Sequence, residues 1–279
     1  MSLISRLAFV GGGVMGEAMI RGALNASLLR PDQVRVADVS QERRDLLQSR
    51  YQVRVSGSNR NVLAGAEVVV LAVKPEQAAE VMAEVRGVLR PGQLFLSVVA
   101  GVPLAALSAG LNHSAVVRAI PNTPAQVGAG VTAWMAVAEV DAVGRSRAAA
   151  LLGSLGRALE VDDEDYLDMA TALSGSGPAY AFLFLEALID AGVHVGLPRS
   201  IARLLATETL LGAALMARDG EMHPAQLRNM VTSPGGTTAA GLAELEAGGL
   251  RAAVDQAVVA AYNRSVELGR GGSPEEERR

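Results

Sequence analysis

At 279 residues the chain is long enough for two domains with separate cores, at the usual roughly 100 to 200 residues each, and half of its residues are hydrophobic. Only 3% are aromatic, so the cores have to be packed mainly from Ala, Val and Leu. A net charge of -4 excludes a broad basic footprint for nucleic acid or an anionic membrane, and the lack of cysteine excludes disulfides, thiolate metal sites and cysteine nucleophiles while fitting a cytoplasmic setting.

The N-terminal MSLISRLAFVGGG has a short apolar run, but glycines follow at once and no cleavage-like site stands out, so no signal peptide is expected. RLAFV, Arg6 to Val10, reads as the first strand. Directly after it, Gly11, Gly13 and Gly16 form G-x-G-x-x-G, with Val14 and Met15 inside the motif, and lead into the helical pattern VMGEAMIRGALNA. A tight turn alone would also explain the glycines. Their place after a strand, at the head of a helix and at the start of a βαβ unit, favours a dinucleotide site, where glycine allows a pyrophosphate to approach backbone N–H groups closely.

The second strand, QVRVAD, ends at Asp38. An acid there accepts hydrogen bonds from both ribose hydroxyls of the adenosine half and repels a 2′-phosphate, which favours NADH over NADPH. Arg43 and Arg44 follow closely and can turn back toward a phosphate, but they read as solvated residues of an early helix turn.

EVVVLAV, Glu67 to Val73, is a further strand and ends in Ala72, Val73, Lys74 and Pro75. Ligands of open parallel sheets bind outside the carboxyl ends of the strands, so Lys74 and Pro75 should face the cofactor; a solvent-facing loop cation is an equal reading of Lys74. After the helical PEQAAEVMAEVRGVL, the chain is uncharged from Pro91 to Val117, which invites a membrane span. Gly101, Pro103, Gly110, Asn112 and His113 interrupt it, and it reads instead as buried strands, LFLSVV (Leu94 to Val99) and AVVRAI (Ala115 to Ile120), joined by turns. Ser97 to Gly101, and Asn122 and Thr123 of PNTP, end these strands and should line the nicotinamide side. Strands alternating with helices imply a mainly parallel sheet covered on both faces.

After the strand-like GRALEV comes the acidic EVDDED, read as a solvated boundary segment. Beyond it Ala, Leu and Met recur at helical spacing through Glu267, so the expected organisation is an α/β Rossmann domain over 1-161 and an all-α domain over 162-279, with a frayed tail at PEEERR. Within the helical half, VTSPGGTT stops one helix at Ser-Pro-Gly-Gly and opens another at the threonines. The N–H groups left unpaired at such a start attract anions, although a plain helix-loop-helix turn has the same letters.

Other candidates read as structural. His113, His194 and His223 are far apart with no carboxylate at ligand spacing, Asp162, Asp163, Glu164 and Asp165 lack the spacing of a calcium loop, and no metal is expected. Met15, Met19, Met169, Met216, Met222 and Met230 read as core filler.

Several blocks in order, FVGGGVMGEAM, LAVKP, PNTPAQVGAGVT, SGSGPAYAFLFLEAL, DAGVHVGLPRSIA and SPGGTTAAGLAELEAGGLR, resemble the pyrroline-5-carboxylate reductase family from about Leu7 to Leu268. The C-terminal blocks are far more specific than the glycine motif, which many dehydrogenases share. The resemblance implies hydride transfer from NADH or NADPH to the C=N bond of 1-pyrroline-5-carboxylate, giving L-proline, and a helical domain that intertwines with a second subunit in a homodimer or a ring of dimers. It implies that Ser233, Gly235, Gly236 and Thr237 hold the substrate carboxylate, through the Ser233 hydroxyl and the N–H groups of Gly236 and Thr237, and that the Thr238 hydroxyl approaches the ring nitrogen. It further implies cofactor contacts at Asn59, Ala72, Lys74 and Ala100, and places Ser176 of SGSGPAY beside the substrate loop; helix capping and core packing are the alternative for Ser176 and Tyr180.

One departure stands out. Relatives that prefer NADPH often carry Asn, Arg or a Ser/Thr cluster after the second strand, where Ala37-Asp38-Val39-Ser40 places an acid and a valine. Two rival readings remain: another Rossmann imine or β-hydroxyacid reductase, and a non-catalytic nucleotide sensor. The β-hydroxyacid reading calls for a lysine in the helical domain, which this half lacks, and a sensor has no need of SPGGTT.

Overall fold

The computed structural model describes residues 3–269. Short aliphatic runs form eight strands, β1 (Leu7–Val10), β2 (Val34–Ala37), β3 (Arg54–Ser56), β4 (Val68–Leu71), β5 (Leu94–Ser97), β6 (Val116–Pro121), β7 (Gly130–Ala136) and β8 (Gly156–Glu160). They make one sheet of order β3-β2-β1-β4-β5-β6-β7-β8. Every neighbouring pair is parallel except β6 and β7. The fold is thus the expected mainly parallel α/β domain followed by helices.

Helices α1 (Val14–Asn25), α2 (Gln41–Tyr51), α3 (Asn59–Leu63), α4 (Pro75–Val85), α5 (Leu104–Leu111) and α6 (Ala142–Gly153) fill the connections. Two clusters of buried side chains form, one containing Leu7, Phe9, Val68 and Val70 and the other Ala8, Val10, Val69 and Leu71. Successive strand residues point to opposite faces, so the all-apolar LAFV and VVVL are the signature of a sheet buried on both. The direction of winding reverses between β1 and β4, and the loops after those two strands flank the crevice there.

Two strands are absent from the sequence reading. β3 is three residues long, partly exposed and at the sheet edge, and its RVS carries no apolar run. β7 begins inside the PNTPAQVGAGVT block; a single 3₁₀ turn, Thr123–Val127, returns the chain antiparallel to β6, a connection too short for a parallel crossover.

The remaining helices are α7 (Asp165–Ala170), a π-helical turn Thr171–Gly175, α8 (Gly177–His194), α9 (Arg199–Asp219), α10 (Pro224–Met230), α11 (Thr237–Ala247) and α12 (Leu250–Gly269). The described chain divides into two compact units, one running through Ser176 and resuming at Ala261, the other Gly177–Ala260. The first unit passes the residue-161 boundary because Leu167 and Ala170 of α7 pack with Ile120 and Ala133 of the sheet. In the second unit, α8 and α9 meet at small residues: a Cβ on Gly192 would lie 2.9 Å from the Ala202 Cβ. The segments Asp165–His194 and Arg199–Asp219 have the length and mean hydropathy, 1.3 each, of a membrane span. The PEEERR tail lies outside the described residues.

The acidic segment is not simply solvated. Arg118 on β6, 1% exposed, donates to Glu164 at 2.8 Å and Asp168 at 2.9 Å. Glu164 also accepts the Leu104 N–H, and Asp168 accepts the Ser265 hydroxyl. Removing so large a cation from water requires paired, hydrogen-bonded acids, and α7 with its N-cap residue Glu164 supplies both about one turn apart.

Candidate active site

The glycine loop is shaped by contacts that exclude side chains. Gly11 has φ +95°, and a Cβ there would lie 2.4 Å from the Ala72 carbonyl oxygen; a Cβ on Gly16 would lie 2.6 Å from that of Gly11. At Gly13 the same atom would meet nothing within 4 Å, so the space beside the head of α1 is open. No side chain caps α1, and its first N–H groups therefore keep their donor capacity. Close packing beneath the loop, clear space above it and uncapped amides together fit a pyrophosphate.

Asp38 follows β2, where it is half-buried. Its Oδ2 accepts the Gly12 N–H at 2.8 Å and its Oδ1 accepts the Ser40 N–H at 2.9 Å. The carboxylate is thereby held at the crevice with lone pairs remaining for hydroxyl donors. Arg43 and Arg44, read from sequence as solvated, are both engaged. The Arg43 guanidinium donates to the carbonyls of Gly12 and Gly13 and to Glu17, while Arg44 donates to the carbonyls of Asp38 and Val39 and to Gln41.

Glu17, on α1, also accepts from Arg50 at 2.8 Å and from the Tyr51 hydroxyl at 2.7 Å. Burial acts to raise its carboxyl, but the hydrogen bonds from Tyr51, Arg43 and Arg50 outweigh it and hold the pKa below the ordinary value. Burial, and then the hydrogen bond to Glu17 and its charge, push the Tyr51 phenol up. This cluster braces the glycine loop from behind and was invisible in the sequence, because Glu17 lies 26 to 34 residues from its partners with no motif to link them.

A cleft of about 290 Å³ lies along this surface and brings together Gly11, Gly13, Asp38, Asn59, Ala72, Val73 and Lys74, with Gln77, Glu80 and Glu84 of α4 on its far wall. Lys74, the only lysine of the chain, is exposed at the head of α4, and Pro75 occupies the first helical position, where no N–H is needed. The Asn59 amide donates to Glu84 at 2.6 Å. Ala100, Asn122 and Thr123 lie beyond the ends of β5 and β6 and do not line the cleft. The Asn122 side-chain oxygen accepts the Val131 N–H at 2.9 Å, which ties down the turn into β7.

The loop between α10 and α11 belongs to the second unit. Gly235 has φ +69°, and the Gly236 N–H closes a turn onto the Ser233 carbonyl at 3.1 Å. A Cβ on Gly236 would come within 2.4 Å of the Ser233 hydroxyl oxygen, so glycine leaves that hydroxyl its position. Gly236 is the N-cap of α11 without a side-chain cap, and Thr237 and Thr238 are the first two helical residues. Thr237 and Thr238 therefore present uncapped N–H groups, and their hydroxyls lie in the same turn. Ser176 sits just past the π turn, its N–H donating to the Thr171 carbonyl at 2.9 Å, which continues the helix rather than capping one.

Residues 164–268 match the model for pyrroline-5-carboxylate reductase dimerisation, and residues 6–101 match that for NADP oxidoreductase, coenzyme F420-dependent. A pyrroline-5-carboxylate reductase of Synechocystis is 46% identical over 95% of this chain and 98% of its own length. The chain belongs to the pyrroline-5-carboxylate reductase family. The Pseudomonas aeruginosa member is 44% identical over 94% of this chain and 96% of its own. The solved Coxiella burnetii reductase superposes with a TM-score of 0.88 at 38% identity, covering 95% of this chain and 98% of that one. The Plasmodium falciparum reductase, solved with NADP bound, gives 0.87 at 32% identity, covering 96% and 99%. Family membership makes this chain an NAD(P)H-dependent oxidoreductase, and its helical half a dimerisation domain.

Proposed function

We propose that the chain reduces the C=N bond of 1-pyrroline-5-carboxylate to L-proline, the reaction of its family, with the substrate acid on the Ser233–Thr238 loop and NADH as the preferred reductant. The observation that carries the substrate assignment is the uncapped start of α11 with Ser233 beside it. A small carboxylate needs several convergent donors; the Ser233 hydroxyl and the Thr237 N–H provide them without a bulky cation, and Gly235 and Gly236 let the ligand come close. The Gly236 N–H, shared with the Ser233 carbonyl, is the weaker contributor.

A reduced nicotinamide held in the cleft would supply the hydride. Thr238 accepts a hydrogen bond from the protonated ring nitrogen and holds the ring in place, while the charge on that nitrogen draws electron density from the carbon that accepts the hydride. A threonine hydroxyl is no strong acid, so the ring enters already protonated, and alignment of the reacting atoms dominates, contributing at best roughly 7 to 11 kcal/mol. On the cofactor side, uncapped amides of Val14 and Met15 at the head of α1 receive the pyrophosphate, and Asp38 accepts from the adenosine ribose hydroxyls. Asp38 and the prior commitments of Arg43 and Arg44 support NADH over NADPH. We further place the protein in the cytoplasm as a homodimer or a ring of dimers, with no nucleic-acid or membrane partner.

The test is steady-state oxidation of NADH and NADPH with pyrroline-5-carboxylate. Thr238→Ala should lower kcat by about tenfold to a hundredfold with cofactor binding unchanged; full turnover in that variant would refute the role given to Thr238. A wild-type kcat/KM higher with NADPH than with NADH would refute the reading of Asp38.

A further inference from the structure

We infer that Glu84 is a specificity-determining residue that acts through Asn59, setting the ribose end of the cleft to accept a 2′-hydroxyl and refuse a 2′-phosphate. The inference rests on the assignment of the Asp38 cleft to the adenosine ribose. Asn59 and Asp38 line the same cleft, and the Asn59 amide nitrogen lies 2.6 Å from Glu84 Oε2. An ionised carboxylate only accepts hydrogen bonds, so the group of Asn59 turned to Glu84 must be its NH₂, and the carbonyl oxygen is what remains for a ligand. Without Glu84 the amide is free to turn over and offer donors. The contact is anchored: Arg60, next in the same short helix α3, donates to the Glu84 carbonyl at 3.1 Å, so α3 and α4 are tied at this point twice.

Most of the other groups agree. Asp38 is an acceptor whose two oxygens are oriented by the N–H groups of Gly12 and Ser40, and Glu80 adds another carboxylate to the cleft wall. The guanidinium groups closest in sequence, those of Arg43 and Arg44, are occupied by backbone carbonyls, Glu17 and Gln41. A ribose hydroxyl donates to such a surface. A phosphate has three acceptor oxygens and up to two negative charges; at Asp38, Glu80 and Glu84 it finds acceptors and like charges, and Lys74 is the one cation among the lining residues.

Dissociation constants for NADH and NADPH, and for 5′-ADP against 2′,5′-ADP, should be measured by calorimetry in the absence of the imine for the full chain and its variants. Glu84→Ala is expected to shift the affinity ratio toward the 2′-phosphorylated ligand by about tenfold. Glu84→Gln, whose side-chain oxygen can still accept from Asn59, should shift it less. In an Asn59→Ala background the Glu84→Ala shift should largely disappear. If Asp38→Ala weakens NADH but neither Glu84 variant moves the ratio, the role of Glu84 is wrong and the ribose assignment stands. An equal shift with and without Asn59 overturns the route through the amide. If Asp38→Ala leaves NADH affinity unchanged, the cleft is not the ribose site and both readings fall.

Discussion

Gly236 shows how much one missing methyl group can decide. A Cβ there would sit 2.4 Å from the Ser233 hydroxyl oxygen, which can rotate away, so Gly236→Ala should cost little stability yet displace a donor from the proposed carboxylate site. We expect the KM for the imine to rise about tenfold, the equivalent of one hydrogen bond to a charged group, with the NADH dissociation constant unchanged; a KM equal to wild type would exclude Ser233 from substrate binding. Glu17 offers a test by pH. Its folded pKa lies below the ordinary 4.5, so its stabilisation is present above that value and is lost as pH falls through the lower folded pKa. Glu17→Gln should therefore be less stable than wild type at pH 7, by about 1 to 3 kcal/mol, with the gap closing in denaturation curves taken well below pH 4.5. A gap that persists at low pH would mean that packing, not charge, accounts for it.

At the level of elements, the sequence located most of the sheet because β1 and β4 are apolar at every position and β5 at all but Ser97, a pattern that burial on both faces explains. It failed where the pattern is interrupted. β7 has Gly130 and Thr132 among its buried residues, and its partner strand was already assigned, so only pairing to β6 identifies it. The acidic segment failed for a related reason: EVDDED has the composition of a solvated linker, and nothing local indicates that β6 places a buried arginine under it. Arg118→Ala should leave Glu164 and Asp168 without their cation and destabilise the protein by about 3 kcal/mol in chemical denaturation, the low end for a broken buried pair because Glu164 is 29% exposed. A loss below about 0.5 kcal/mol would show the cluster to be incidental to stability.

For the whole molecule, the helical unit lacks a core of its own. Among the described residues of α8 and α9 only Ala202 and Ala206 are buried, while Phe182, Leu183 and Leu204 are each more than 60% exposed. Such a surface needs a second subunit, in keeping with the match of residues 164–268 to a dimerisation domain. Leu204→Glu should shift the sedimentation profile toward monomer and lower the thermal midpoint together, since folding of that unit depends on association. A variant that sedimented as the wild-type assembly would remove Leu204 from the interface.

By itself the sequence determined the family and the mainly parallel sheet, and located the loops proposed to carry the chemistry, because these depend on local patterns: apolar runs, glycine spacing, and a Ser-Pro-Gly-Gly break between helices. Tertiary structure alone decided which charged groups meet. Arg43 on the glycine loop, Glu84 on Asn59 and Arg118 beneath α7 are pairings across 25 to 50 residues of chain, and no local pattern encodes them. They arise because the sheet order brings distant helix ends together, where a half-buried charge must find a partner or remain at high cost.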